Sequence, residues 1–196
     1  MKLTVEGYKS IADKCTVELN GLTVLAGANS SGKSSFMQPL LLIKQTLEAA
    51  YDAGGILLDG PNVKLTDSSQ ILSKSSDSEQ NFFAIELELD QERWVRAEYQ
   101  LGSRSGVKNS RLRYKNTSGF QDVIDLQIGL TEKELGRILT LIHKSSNHFV
   151  DLADKYGLVV KYGKKGFLQL TIKDTPFDFQ IGGFSAELEK IATRLI

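Results

Sequence analysis

The sequence predicts an α/β fold in which a phosphate-binding loop joins a short strand to a long helix, followed by a mixed or antiparallel β meander with flanking helices. Three observations predict it. Gly27-Ala28-Asn29-Ser30-Ser31-Gly32-Lys33-Ser34 fits G-x-x-x-x-G-K-[S/T] and follows the apolar run Leu22-Thr23-Val24-Leu25-Ala26, the strand-to-helix context such a loop needs. From Lys33 onward, Phe36, Leu40, Ile43, Leu47 and Ala50 recur at the three-to-four spacing of a helix packed on a sheet. From Phe82 to Ile128 apolar and polar residues alternate with the period of half-buried strands.

Taken in order, residues 2–6 and 14–19 read as two strands around the turn Gly7-Tyr8-Lys9-Ser10-Ile11, and 22–26 reads as the strand feeding the loop. The helix from Lys33 contains Pro39, which removes a backbone donor, so a bend is expected there. Residues 52–80 dissolve into Gly, Asp and Ser with scattered aliphatics and read as a long, mobile connection. In the next two segments, Phe83, Ile85, Leu87 and Leu89 share a face, as do Val95, Ala97, Tyr99 and Leu101. Keeping both sets on the core side requires a three-residue turn that sets Leu87 opposite Val95 and Glu86 opposite Arg96. Residues 110–116 and 120–128 extend the meander, with Leu112, Tyr114, Ile124, Leu126 and Ile128 facing inward. Thr131-Glu132-Lys133-Glu134 is a capping box opening a helix whose stripe is Leu135, Ile138, Leu139 and Ile142. Strands near 157–162 and 166–173 flank Gly163-Lys164-Lys165-Gly166, and residues 185–196 form an amphipathic helix. That helix ends on Leu195 and Ile196 without a stop signal, so the polypeptide is expected to continue.

Two regions follow: 1–80, a nucleotide-binding core with the long 52–80 loop, and 81–196, a meander with helices belonging to the same lobe. At 196 residues and 41% hydrophobic content the chain can bury a substantial core. Lys+Arg and Asp+Glu balance at 24 each, so whole-molecule attraction to nucleic acid or anionic lipid is excluded. The lone Cys15 fits a reducing compartment, and no signal peptide or bilayer-length apolar run is present, so cytoplasmic residence without membrane contact is expected. His143 and His148 lack ligand partners at useful spacing.

The motif dictates chemistry. Its glycines let backbone N–H groups turn inward around a polyphosphate, and the helix dipole adds positive potential. Lys33 is placed to reach the β- and γ-phosphates of ATP, and Ser34 to put its hydroxyl on Mg²⁺. The cofactor-binding set is Gly27, Asn29, Ser30, Ser31, Gly32, Lys33, Ser34 and Ser35. Ile56-Leu57-Leu58-Asp59 imitates an acidic strand end and Asp52-Ala53-Gly54-Gly55 imitates a D-x-x-G element; both read as turns. No catalytic residue is assigned.

The series strand, Gly-Tyr-Lys-Ser-Ile, strand, strand and Gly-Ala-Asn-Ser-Ser-Gly-Lys-Ser-Ser-Phe resembles the N-terminal lobe of RecF/SMC-like ABC ATPases and the related OLD-type predicted ATPases. Residues 38–48, with Leu57-Leu58-Asp59-Gly60-Pro61, look like the ATP-binding branch linked to bacterial anti-phage systems. The resemblance covers residues 1–75 closely and the rest loosely. It implies an ATP-driven head-to-tail homodimer or partner lobe, each nucleotide held between one phosphate loop and a signature motif across the interface. It adds Lys9 and Ser10 as nucleotide contacts and Gln70 as the glutamine that senses Mg²⁺ and water. The sequence departs from the family in lacking an LSGGQ-like signature and a Walker B strand with its catalytic Glu. Hydrolysis is therefore expected to need a second lobe.

Arg93 to Lys115 holds seven basic residues and one acidic one, with Arg111, Arg113 and Lys115 on one strand face. That row could grip nucleic-acid phosphates, but Glu86, Glu88, Asp90 and Glu92 on the preceding segment could neutralise it. The leading reading is an ATP·Mg²⁺-binding lobe of an ABC-type ATPase in DNA repair or anti-phage defence. Its rival is a non-catalytic, nucleotide-gated interaction module. A small kinase would need an arginine-bearing lid, which the meander does not resemble.

Overall fold

The computed structural model describes residues 1–74, 81–102, 106–116, 120–143 and 147–173. Six strands form one antiparallel sheet: β1 (Lys2–Glu6), β2 (Cys15–Glu18), β3 (Phe82–Asp90), β4 (Arg93–Leu101), β5 (Val107–Asn116) and β6 (Phe120–Gln127). Their spatial order is β2-β1-β3-β4-β5-β6. Because β1 pairs with both β2 and β3, the sheet runs continuously across the boundary near residue 80 between the two sequence regions. Period-two alternation sends Leu3, Val5, Phe83, Ile85, Leu87, Val95, Ala97, Leu112, Ile124 and Leu126 to one buried face. Ile128, expected inward, lies past the end of β6 and is exposed.

Glu86 pairs with Arg96 and Leu87 with Val95, the register that the hydrophobic pattern demands. The turn differs from expectation. Asp90 pairs with Arg93 across a two-residue turn, and a bulge between Glu88 and Asp90 restores the parity that such a turn alone would break. A second irregularity in the β4–β5 ladder leaves Ser110 unpaired. It turns Asn109 into the core, where Nδ2 donates to the Glu98 and Arg111 carbonyls and Oδ1 accepts from the Leu168 N–H.

The opposite sheet face carries charge. Arg96 is only 8% exposed, and its guanidinium meets Glu6 at 2.7 Å, Glu98 at 3.0 Å and Glu86 at 3.7 Å. A buried cation is tolerated there because several carboxylates surround it.

Helix α1 (Lys33–Glu48) runs unbroken through Pro39. Losing the N–H that would bond the Ser35 carbonyl costs about 3 kcal/mol in a helix interior. Burial of Phe36, Leu40, Leu42, Ile43 and Leu47, each contributing about 2 kcal/mol, outweighs it. The far end of α1 has no basic residue of its own in the last turn. Lys165 supplies the cation from a distant hairpin, donating Nζ to the Leu47 carbonyl.

Residues 52–74, expected from composition to be a long connection, are fastened to the core. Ile56, Val63, Leu65 and Ile71 are buried, and Gln45, 1% exposed, fastens the loop to α1. Its Nε2 donates to the carbonyls of Leu57 (2.6 Å) and Val63 (3.1 Å), while Oε1 accepts from the N–H groups of Asn62 (3.2 Å) and Val63 (2.9 Å). Residues 75–80 lie outside the described set.

Helix α2 (Glu132–His143) begins with the expected capping box: Glu134 accepts from the Thr131 N–H at 2.8 Å, and the Glu134 N–H donates to the Thr131 hydroxyl at 3.3 Å. Helix α3 (Asn147–Tyr156), unforeseen in the sequence, leads to the hairpin β7 (Leu158–Tyr162) and β8 (Leu168–Ile172). The helix expected at 185–196 lies outside the described residues.

Two stability measurements test this packing. Gln45→Ala strands the backbone groups of residues 57–63 and opens a void, so urea unfolding should show a loss of about 2–4 kcal/mol. Tyr99 is buried in a stack on Phe83, yet among the described residues its hydroxyl has no hydrogen-bond partner; Tyr99→Phe should therefore leave stability unchanged or raise it by about 1 kcal/mol.

Candidate functional site

The phosphate loop is built from backbone conformations that its residue types permit. Gly27 and Gly32 have φ of 158° and 91°, and Ser30 stands in the left-handed region at 63°. Such reversals turn successive N–H groups toward one point and make an anion-binding concavity. Gly32 is the N-cap of α1 and offers no capping side chain, and the first turn contains no acidic residue. The helix thus begins with its orphan N–H groups uncompensated by side chains and its positive dipole end unopposed.

A pocket of about 420 Å³ opens here, lined by Lys9, Ser10, Asn29, Ser30, Ser31, Gly32, Lys33, Ser34 and Ser35. The structure therefore brings the Lys9-Ser10 turn against the loop, although about twenty residues separate them in sequence. Contact is close: a Cβ at Gly32 would lie 3.0 Å from the Ser10 hydroxyl oxygen. Gly27 is not on the pocket wall, but its carbonyl accepts from the Lys33 ammonium at 2.7 Å, as does that of Ala28 at 2.6 Å.

These residues fit a polyphosphate. The lining contains two ammonium groups, several hydroxyls and no carboxylate, so an entering anion meets no like charge. Among the described residues no cluster of three or more His, Cys, Asp or Glu could hold a metal ion. Mg²⁺ would take Ser34 from this chain, with phosphate oxygens and water completing its shell.

Gln70 does not line the pocket. It is exposed on a 3₁₀ turn (Ser68–Gln70) capped by Asp67, and its Nε2 donates to the Thr66 hydroxyl at 3.1 Å. It is nonetheless tethered near the site, because the next residue, Ile71, accepts the Lys9 N–H at 2.8 Å. Asp52 closes an Asx turn on the Gly54 N–H, and Asp59 sits in an isolated bridge with Lys64. Both segments are turns, as read.

The segment 22–26 departs from expectation. Among the described residues it joins no ladder, and β1 is already paired on both sides, with β2 and β3. Leu22 and Val24 are 89% and 75% exposed.

The basic row is neutralised. Arg111 meets Asp125 at 2.5 Å, Arg113 meets Glu98 at 3.1 Å, and Lys115 meets Glu92 at 2.8 Å. Cations already paired with carboxylates neutralise phosphates less well and so release fewer of the counterions condensed on a nucleic acid. Residues 155–173 carry five Lys and no Asp or Glu, a second basic run outside the β5 row. Gln38 was missed; its signal is the four-residue spacing from Ser34, which puts both on one face of α1.

No helix among the described residues is long and apolar enough to cross a membrane. No curated protein matches the chain. The AAA ATPase domain family matches residues 1–179, a span that takes in the phosphate loop, α1 and the eight described strands. With the loop geometry and the match in agreement, the chain belongs to the AAA ATPase domain family, whose members share the P-loop nucleotide-binding fold.

Proposed function

We propose that this chain is the ATP·Mg²⁺-binding lobe of an ABC-type ATPase of the RecF/SMC/OLD kind, acting in the cytoplasm in DNA repair or anti-phage defence. The observation that carries the reading is the phosphate pocket, where the Lys9-Ser10 turn and the glycine-rich loop close on one concavity. Lys33 exchanges the Gly27 and Ala28 carbonyls for phosphate oxygens, and the first-turn N–H groups of α1 complete the cradle.

Hydrolysis is assigned to a second lobe or a second copy, because the pocket wall carries no carboxylate that could orient water. The bare segment 22–26 supports this assignment. A P-loop strand works inside a sheet, and among the described residues this apolar run joins no ladder. ATP binding then acts by closing the two halves around the nucleotide. The absence of an acidic wall equally favours the second reading, a nucleotide-gated interaction module that binds without turnover.

Two expectations follow. By calorimetry the chain should bind ATP·Mg²⁺, and Lys33→Ala should weaken binding about 10- to 100-fold, the loss of a charge-assisted contact; unchanged affinity removes the reading. The chain alone should release no phosphate above background, and Lys33-dependent release from it would refute the second-lobe assignment. Separately, Leu22→Lys with Val24→Lys should leave the stability of the chain within about 0.5 kcal/mol, since both side chains already face solvent, while abolishing ATP-dependent association with the partner lobe or second copy.

A further inference from the structure

Helix α1 carries a polar stripe at Ser34, Gln38 and Gln45, positions separated by four and seven residues that share one face. Ser34 lies on the pocket wall, and Gln45 holds the 57–63 loop. Gln38 sits between them. Its Oε1 accepts from the Lys9 ammonium at 2.7 Å and from the Tyr8 hydroxyl at 3.2 Å.

We propose that Gln38 is a positioning residue of the nucleotide site: through that one oxygen it fixes the Lys9 ammonium on the wall of the phosphate pocket. The inference rests on the polyphosphate reading of the pocket and deepens it. Four features support it. Lys9 holds a left-handed backbone conformation, φ 49°, that a non-glycine residue adopts only when its surroundings enforce it. The enforcement is visible, since the Lys9 N–H is bonded to the Ile71 carbonyl and Tyr8 is fully buried beside it. The Lys9 ammonium also lies 5.6 Å from the centre of the Tyr8 ring, within cation–π range. Finally, burial lowers the Lys9 pKa, a cost to the charged form that an oxygen acceptor offsets.

An ammonium has three protons. One is committed to Gln38, leaving the others for a phosphate oxygen, so anchoring and binding are compatible. Fixing the cation in advance removes the side-chain entropy that a free lysine would lose on binding. Because Gln38 and Lys33 belong to the same helix, both ammonium groups are referenced to a single rigid element.

The test is a double-mutant cycle read by ATP·Mg²⁺ titration calorimetry, with thermal melts confirming folding. Lys9→Ala should weaken ATP binding about tenfold, and Gln38→Leu about three- to tenfold. In the Lys9→Ala background the Gln38 substitution should change affinity by less than about twofold, because the two act through one contact. Gln38→Asn keeps the amide but shortens its reach, and it serves the same cycle where the leucine variant does not fold. A Gln38 effect that persists in full without Lys9 overturns the proposal, as does wild-type affinity in Gln38→Leu or in Lys9→Ala. Failure of the wild-type chain to bind ATP·Mg²⁺ overturns the polyphosphate reading as well, which separates the two failures.

Discussion

The structure turns on a constraint at one end of α1. A helix that is to receive phosphate must leave its first N–H groups without internal partners, so it cannot be stabilised where it begins. Gly32 as a side-chain-free N-cap and the lack of an acidic first turn satisfy the constraint, and the stability forgone there is restored elsewhere along the helix. Five apolar side chains bury against the sheet and loops. Gln45 makes four hydrogen bonds to the 57–63 loop, and Lys165 meets the carbonyl end. The last contact spans 118 positions in sequence, so the terminal turn of the ligand-binding helix depends on the β7–β8 hairpin being folded.

The buried side chains of this helix and the apolar face of the sheet belong to one core cluster. The sheet's charged face looks like a binding surface when read one strand at a time, because β5 alone presents Arg111, Arg113 and Lys115. Across strands the charges cancel: Asp125 comes from β6, Glu98 from β4 and Glu92 from the turn between β3 and β4. Arg96, set at the centre, holds three carboxylates from three strands. Such a network fixes the order and register of strands whose apolar face alone would tolerate sliding by two residues.

Much of this was legible in the sequence where local pattern and chemistry coincide. The phosphate loop, the capping box and the register of β3 on β4 all follow from short spacings, and each is present. The β3–β4 turn shows the limit of that reasoning: parity predicted a three-residue connection, and a bulge beside a two-residue turn met the same parity by another route. Residues 52–74 misled because their composition is polar, whereas their order comes from four buried aliphatics and one glutamine on a distant helix. The strand expected at 22–26 has the right residues but no described neighbour to pair with, and pairing is a property of the assembly rather than of the segment. The approach of Lys9 and Ser10 to the loop came from family resemblance; the physical reason, a left-handed turn packed on Gly32, is visible only in three dimensions.

The site is chemically lopsided, and that asymmetry bears on how the protein works. Everything on the pocket wall is suited to stabilising negative charge that is already present: two ammonium groups, hydroxyls and backbone amides. Among the described lining residues there is no carboxylate or histidine to orient a water molecule. A binding surface of this kind gains little from being fully enclosed by its own chain, since enclosure would block the approach of groups it lacks. The exposed approach at Leu22 and Val24 and the acid-free wall are then two aspects of one arrangement. Under the proposed function, the lobe is a receptor for phosphate whose hydrolytic groups come from elsewhere, which couples nucleotide binding to the arrival of a second lobe or copy.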